Sequence, residues 1–113
     1  MDESNSDHLE ALLQQIREQV ARDAIRITTH AQQQMVEENI RLDEALEAIA
    51  TGQILENYPE HRRGPCCLLN GLTAKERPVH VVCTTATEPV IIITVYEPKP
   101  PKWANPTRRG QVK

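Results

Sequence analysis

Two apolar runs in the last third of the chain, residues 79–83 and 90–96, constrain the fold more than any other feature. Side chains alternate between the two sides of a strand, so each run has one apolar face and one face that carries polar groups. If the runs pair as a hairpin, an odd-numbered loop brings His80 level with Thr94 or Tyr96 and keeps the apolar faces together. An even-numbered loop would set His80 against apolar side chains, and burying a lone polar group is unfavourable. The pattern therefore favours the odd-numbered loop.

The first half of the chain predicts helices. Leucine, isoleucine and valine recur at the spacing of one helix face from about Asp7 onward, which predicts a first helix there. Residues 25–28 alternate and are β-branched, as in a short strand or an extended link. A second helix is expected over residues 30–38. A third is expected from about Leu42 to Gly52, where glycine suits a left-handed position after the helix.

The second half predicts four strands and an extended tail. The strands are expected at residues 53–58, 65–72, 77–85 and 90–97. Prolines at 98, 100, 101 and 106 disfavour a regular strand beyond them. Helices followed by consecutive strands indicate an α+β fold, with N-terminal helices packed on one face of an antiparallel four-stranded meander.

Length and composition set the frame for this fold. A chain of 113 residues is expected to form one core, and with only two tyrosines, one tryptophan and no phenylalanine that core must be aliphatic. We expect residues 1–24 to be an N-terminal helical extension, residues 25–109 the α+β domain and residues 110–113 a tail. No apolar run approaches the roughly 20 residues that span a bilayer, and the acidic start does not resemble a signal peptide. A cytoplasmic protein without membrane contact is therefore expected.

Charge and cysteine content limit the possible functions. Residues 1–52 hold four basic and eleven acidic residues, whereas residues 53–113 hold nine basic and five acidic ones, so the second half offers either a phosphate-binding surface or simply a solvated face. Three cysteines without a Cys-x-x-Cys pair argue against a disulfide framework and a zinc site. We find no metal-ligand spacing and no glycine-rich phosphate loop, so neither a metal nor a cofactor is expected.

Several short segments occur together in an order that resembles one known family. They are His30-Ala31, Met35 with Ile40, residues 52–59, residues 78–82, and residues 93–98 followed by Trp103. In this order they resemble the DUF4258 family of small prokaryotic proteins over residues 25–109. That family is similar to toxin ribonucleases of the RelE/barnase-like kind, and its members look like partners of zinc-finger antitoxins. The resemblance therefore implies RNA as a substrate and a zinc-finger antitoxin-like protein as a partner.

Two positions depart from the pattern of the family. A basic residue, usually arginine, stands just before the methionine in the family, and another stands three residues after it. Gln34 and Glu38 occupy these positions here. A phosphate contact that arginine would make is therefore missing, and Glu38 would repel a polyanion.

Metal-free RNA cleavage needs a base, an acid and positive charge at the phosphate. The family motif supplies His30 at a helix start and His80 on the sheet as the candidate base–acid pair, with Tyr96 as a group that orients or donates a proton. The structural alternatives are a buried His80 bonded to Tyr96 and a Trp103 folded back onto the core. The candidate substrate-binding residues are Arg62, Arg63, Trp103, Arg108 and Arg109.

The predicted function is thus a metal-independent endoribonuclease of toxin type that cleaves RNA by His/Tyr acid–base chemistry. A non-catalytic protein- or RNA-binding module, which lost its activity with the basic positions at Gln34 and Glu38, is the alternative. A small-molecule sensor with an aliphatic sheet pocket is a third possibility. The sequence leaves the oligomeric state open.

Overall fold

The computed structural model describes residues 3–110, so residues 111–113 of the predicted tail lie outside the described part. Within residues 3–110 the chain forms three helices and seven strands. In chain order these are α1 (Glu3–Ala21), β1 (Ile25–Ile27), α2 (Thr29–Glu38), α3 (Leu42–Thr51), β2 (Gln53–Tyr58), β3 (Cys66–Leu72), β4 (Pro78–Thr84), β5 (Val90–Tyr96), β6 (Trp103–Asn105) and β7 (Arg108–Arg109). The first helix begins four residues earlier than the apolar pattern predicts.

The main sheet has five strands in the order β1-β5-β4-β3-β2. Strands β2 to β5 pair antiparallel in sequence order, as the predicted meander requires, but β1 joins β5 in parallel. The α+β class is therefore confirmed, whereas the four-stranded, purely antiparallel sheet is wrong. The backbone explains the difference, because the free edge of β5 accepts residues 25–27 as a further strand and Thr28 N–H donates to the Ile92 carbonyl at 3.0 Å.

The tail also differs from the prediction of a merely extended segment. Strands β6 and β7 pair with each other as a separate two-stranded sheet. Three of the prolines precede this hairpin, and Pro106 lies in its turn. Proline cannot donate a backbone hydrogen bond, but no proline occupies a paired position of this hairpin, so the proline content does not prevent pairing.

The register between β4 and β5 confirms that His80 pairs with Tyr96. The odd-numbered loop is wrong, however, because the pair nearest the loop, Cys83 with Ile92, encloses eight residues. A β-bulge interrupts this register further along, where Val82 pairs with Thr94 but Cys83 pairs with Ile92. Ile93 is the extra residue, and it reverses the alternation along β5. As a result Val90 and Ile92 share the buried, helix-facing side with Val95.

The helices pack on one face of the sheet, as predicted. Their buried residues form one cluster with the helix-facing side chains of β3, β4 and β5: Leu13, Ile16, Ala31, Ala45, Ala48, Ile49, Cys67, Leu69, Val79, Val81, Cys83, Val90, Ile92 and Val95. Within the described range, no helix combines the length and hydropathy that a membrane crossing needs.

The contact between α3 and the sheet depends on two glycines. Gly52 follows α3 in an extended conformation (φ −88°, ψ −178°), so the prediction of a left-handed residue there is wrong. A Cβ at Gly52 would collide with the carbonyls of Ala48 and Asn70, and one at Gly71 would collide with the Ala48 backbone. Glycine is required here because helix and strand backbones approach closely, not because of its φ angle.

Candidate functional site

The face of the sheet opposite the helices is covered at one end by the β6–β7 hairpin. His80 lies beneath this cover with no exposed surface, and Trp103 is only 1% exposed. The imidazole packs edge-to-face against both aromatic neighbours, with ring centroids 5.2 Å from Tyr96 and 4.5 Å from Trp103. The hairpin therefore adds a small aromatic core on the outer side of an otherwise aliphatic protein.

Hydrogen bonds determine which nitrogen of His80 carries the proton. Nε2 lies 2.6 Å from the carbonyl oxygen of Pro106, which can only accept, so Nε2 is protonated. In the neutral ring Nδ1 is then an acceptor, and the Tyr96 hydroxyl donates to it at 3.1 Å. The hydroxyl oxygen in turn accepts from the indole N–H of Trp103 at 3.1 Å. This chain of donors runs from Trp103 through Tyr96 to His80 and ends on the backbone of Pro106.

This arrangement holds His80 neutral. Burial lowers the pKa of His80, and the contact with the Pro106 carbonyl opposes that shift only in part. Burial also raises the pKa of the Tyr96 hydroxyl. With both ring nitrogens bonded, His80 offers a substrate neither a free donor nor a free acceptor. It is the buried histidine bonded to Tyr96 that was the structural alternative to a catalytic role.

Arg109 fastens the hairpin to the edge strand β2. Its guanidinium makes two hydrogen bonds to the Glu56 carboxylate, at 2.8 and 2.6 Å, and the same carboxylate also accepts from Tyr58. The guanidinium carbon lies 4.6 Å from the Trp103 ring centroid. The Arg109 guanidinium lowers the pKa of Glu56. Of the predicted substrate-binding residues, Arg109 and Trp103 are therefore occupied by internal contacts, and the indole has no free face for a base.

An open cleft of about 710 Å³ lies beside the last part of β5. His30, exposed in the first turn of α2, and Tyr96 both line it, so the structure brings together two of the three predicted catalytic residues there. His80 is not among the lining residues. The cleft is lined by His30, Gln34, Glu38, Thr94, Tyr96, Glu97, Lys99, Lys102 and Trp103.

Charges in this cleft are mixed. Lys99 and Lys102 are exposed on the tail, and the Lys102 ammonium lies 5.7 Å from the centroid of the Tyr96 ring. Glu97 is opposed by Arg77, whose Nε lies 2.7 Å from its carboxylate. The negative charge of Glu97 is thus largely offset, which leaves the lysines as cations without an ion pair in the described residues.

Gln34 and Glu38 have a structural role that the sequence analysis missed. The Gln34 side-chain carbonyl accepts from the Val95 N–H at 3.0 Å, and the Glu38 carboxylate accepts from the Glu97 N–H at 2.8 Å. Four residues of helix rise about 6 Å, close to the roughly 6.7 Å spanned by two residues of strand, so the spacing of the pair matches β5. These side chains replace a neighbouring strand where β1 has ended.

Arg77 completes this contact between helix and strand. Besides Glu97, its guanidinium donates to the main-chain carbonyls of Glu38 and Asn39, at 2.7 and 2.9 Å. These are orphan carbonyls at the end of α2. Arg77 therefore fixes the α2 wall of the cleft, and its position in the loop before β4 gave no sequence signal for this role.

The remaining predicted residues lie elsewhere. Arg62 and Arg63 line a second cavity of about 420 Å³ with His61, Gly64, Thr84 and Ile93. Arg108 is exposed on β7. In the described part of the chain, no three His, Cys, Asp or Glu side chains lie close enough together to hold a metal ion.

The three cysteines are all buried. Cys67 and Cys83 lie opposite each other on β3 and β4. A hydrogen bond with Cys67 and burial raise the pKa of the Cys83 thiol, and burial raises that of Cys66. Thiols held in the protonated form are poor nucleophiles.

These features define a small α+β protein with an open, polar cleft between a helix and the edge of its sheet. The family model described as "Domain of unknown function (DUF4258)" matches residues 27–97, and the chain belongs to this family. The match includes α2, α3 and the strands β2 to β5, and thus the helix and sheet walls of the cleft. Comparisons with curated proteins and with solved structures each gave no significant match.

Proposed function

We propose that the protein is a metal-independent endoribonuclease of toxin type whose active site is the cleft between α2 and β5. One observation carries the proposal: an exposed imidazole, His30, faces the same volume of about 710 Å³ as the ammonium groups of Lys99 and Lys102. A base and fixed positive charge in one open cleft are the groups that cleavage of a phosphodiester next to a 2′-hydroxyl requires.

In the proposed reaction His30 takes the proton of the 2′-hydroxyl. The 2′ oxygen then attacks the phosphorus, the bond from phosphorus to the 5′ oxygen breaks, and the departing 5′ oxygen takes a proton from solvent, because the cleft is open. The products are a 2′,3′-cyclic phosphate and a 5′-hydroxyl. Lys99 and Lys102 stabilise the charge that develops on the phosphate oxygens.

His80 and Tyr96 receive different roles in this proposal. Tyr96 lines the cleft, but its hydroxyl proton is directed at His80 Nδ1. We assign His80 as a positioning residue, which fixes the Tyr96 ring from beneath and does not touch the RNA. Gln34 and Glu38, at the basic positions of the family, hold the helix wall against β5.

Cleavage of a labelled RNA by purified protein, in the presence of EDTA, tests the proposal. We expect fragments that end in a 2′,3′-cyclic phosphate, no cleavage of RNA methylated at the 2′ oxygen, and a loss of about 10²- to 10⁴-fold in rate for His30→Ala. His8→Ala, which removes an exposed histidine of α1, is the matched control and should cleave like the unaltered protein. Equal cleavage by His30→Ala and His8→Ala would rule out the cleft as the active site.

The toxin role predicts a phenotype and a partner. Induced expression should arrest growth, and His30→Ala should relieve the arrest while His8→Ala should not. A zinc-finger antitoxin-like protein that co-purifies with the chain and suppresses RNA cleavage would support the same role. Normal growth under full induction of the unaltered protein would contradict it.

A non-catalytic RNA- or protein-binding module is the second candidate function. The burial of His80 favours it, because one of the two predicted histidines is then closed to substrate. The carboxylate of Glu38 in the cleft wall favours it too, since its negative charge weakens the positive field that a phosphorane needs. RNA that binds but is not cleaved by the purified protein would select this candidate.

A further inference from the structure

The second cavity lies on the same outer face of the sheet as His80. It measures about 420 Å³ and is lined by the loop residues His61, Arg62, Arg63 and Gly64 together with Thr84 and Ile93. The loop has a fixed shape, because the Gly64 N–H donates to the His61 carbonyl at 2.9 Å and the Arg63 N–H donates to His61 Nδ1 at 3.2 Å. Arg62 and Arg63 are thus presented on an ordered turn.

The two arginines differ from Arg77 and Arg109, whose guanidinium groups have internal partners. The guanidinium groups of Arg77 and Arg109 form ion pairs with Glu97 and Glu56, respectively. Arg62 and Arg63 are exposed, and no carboxylate within residues 7–110 forms an ion pair with either of them. Their charges therefore remain available to an anionic ligand.

The cavity adjoins the α2–β5 cleft along β5. Ile93 lines the cavity, and the next residue, Thr94, lines the cleft. Both are half-buried, so the strand surface between the two hollows is open. From Ile93 to Tyr96 the strand extends about 10 Å, which separates a basic turn at one end from the tail lysines at the other.

We infer that single-stranded RNA lies along β5, with one phosphate at Arg62 and Arg63 and another at Lys99 and Lys102; this rests on the proposed function of the cleft. The half-buried side chains of Ile93 and Thr94 offer a surface on which an unpaired base can lie, while the cations at both ends contact the backbone. The ordered turn makes Arg62 and Arg63 a binding site outside the reacting groups. Guanidinium groups suit this role because they bind phosphate oxygens in pairs.

Binding of a single-stranded RNA methylated at every 2′ oxygen tests this inference apart from cleavage. The double variant Arg62→Gln/Arg63→Gln should bind roughly tenfold more weakly than the unaltered protein at moderate salt. The slope of log affinity against log salt should become shallower by about 0.7, because the two arginines share one phosphate and each lost phosphate contact on a single strand removes about 0.7. Arg26→Gln/Lys75→Gln removes the same charge from exposed residues that form no ion pair within residues 7–110 and line neither hollow, and it should change neither quantity by as much.

The possible results separate the two proposals. Equal weakening by both double variants, or equal affinity for duplex and single-stranded RNA, would overturn the inference and leave only a general attraction to polyanions. Cleavage that depends on His30, with unchanged binding by Arg62→Gln/Arg63→Gln, would keep the active site and reject the extended groove. Binding that depends on Arg62 and Arg63, with no cleavage of unmodified RNA, would keep the groove and reject the enzyme.

Discussion

The imidazole of His80 and the indole of Trp103 meet edge-to-face with their centroids 4.5 Å apart, although the two residues lie 23 positions apart in the chain. The contact joins the centre of the main sheet to a hairpin that has no ladder pairing with that sheet. Side chains therefore hold the hairpin in place, and the stability of this region depends on a few identifiable groups.

Trp103→Ala should lower the free energy of unfolding by about 3–5 kcal/mol, because a fully buried indole leaves a cavity and uncovers His80. Trp103→Phe keeps an aromatic ring but loses the N–H that donates to Tyr96, so a smaller loss is expected. Urea unfolding followed by far-UV circular dichroism measures both, since the variants lack the only tryptophan. A change below about 1 kcal/mol for Trp103→Ala would show that the indole is not packed on the sheet.

The free energy of unfolding should fall as the pH is lowered below about 6.5, because of His80. The folded protein lowers the pKa of His80 below its unfolded value, so in this range the unfolded chain binds more protons. The contribution of neutral His80 to the free energy of unfolding is fully present above the pKa of the unfolded chain. It is lost as the pH falls toward the lower pKa of the folded protein. Its slope is at most about 1.4 kcal/mol per pH unit.

Urea midpoints of the unaltered protein and of His80→Gln, measured from pH 8 down to about pH 5, isolate this effect. The pKa of Glu56 is also lowered in the folded state, but its contribution is lost only near and below its ordinary value of 4.5. The slope between pH 7 and about pH 5 should therefore be smaller in His80→Gln. Parallel curves for the two proteins would mean that His80 is solvated in the folded state.

Arg109→Ala should destabilise the protein by about 1 kcal/mol, since the ion pair with Glu56 is bidentate but partly exposed. Arg108→Ala removes the neighbouring exposed charge and should change the free energy of unfolding by less than about 0.5 kcal/mol. The difference between the two variants should shrink as salt is added. If Arg108→Ala were equally destabilising, net charge and not the Glu56 contact would be responsible.

Gln34→Arg and Glu38→Arg, which restore the basic residues of the family pattern, should each destabilise the protein by about 1–2 kcal/mol. Arginine has no acceptor, so the N–H groups of Val95 and Glu97 would lose their partners. Glu38→Gln keeps an acceptor and should be nearly neutral. Gln33→Arg, on the exposed side of α2, is the charge control. Greater stability in Gln34→Arg than in Gln33→Arg would contradict the edge-capping role.

The sequence predicted contacts that follow from the alternation of side chains along a strand. It missed contacts in which a segment far along the chain covers a residue. Alternation along β4 and β5 was enough to place His80 opposite Tyr96. It did not reveal the bulge at Ile93, because residues 90–93 are all apolar and no polar residue on that side of the bulge marks the change of phase. Within the site, His30 and Tyr96 were predicted and do share a cleft.

Other features of the site depend on partners far along the chain. Gln34 binds the backbone 61 residues away, so its own neighbourhood shows only a polar helix residue. The burial of His80 requires the carbonyl of Pro106, in a segment whose prolines indicated no regular structure. Residue type alone could not separate a histidine that faces solvent from one that a hairpin covers.

The capping of β5 by Gln34 and Glu38 also determines where another chain can join the sheet. Unpaired strand edges invite lateral association, and here one border is closed by helix side chains beyond the three residues of β1. The opposite border is β2, six residues long and laddered on one side to β3. An extended peptide or a second molecule that continued the ladder would therefore align along Gln53–Tyr58, on the far side of the sheet from the cleft.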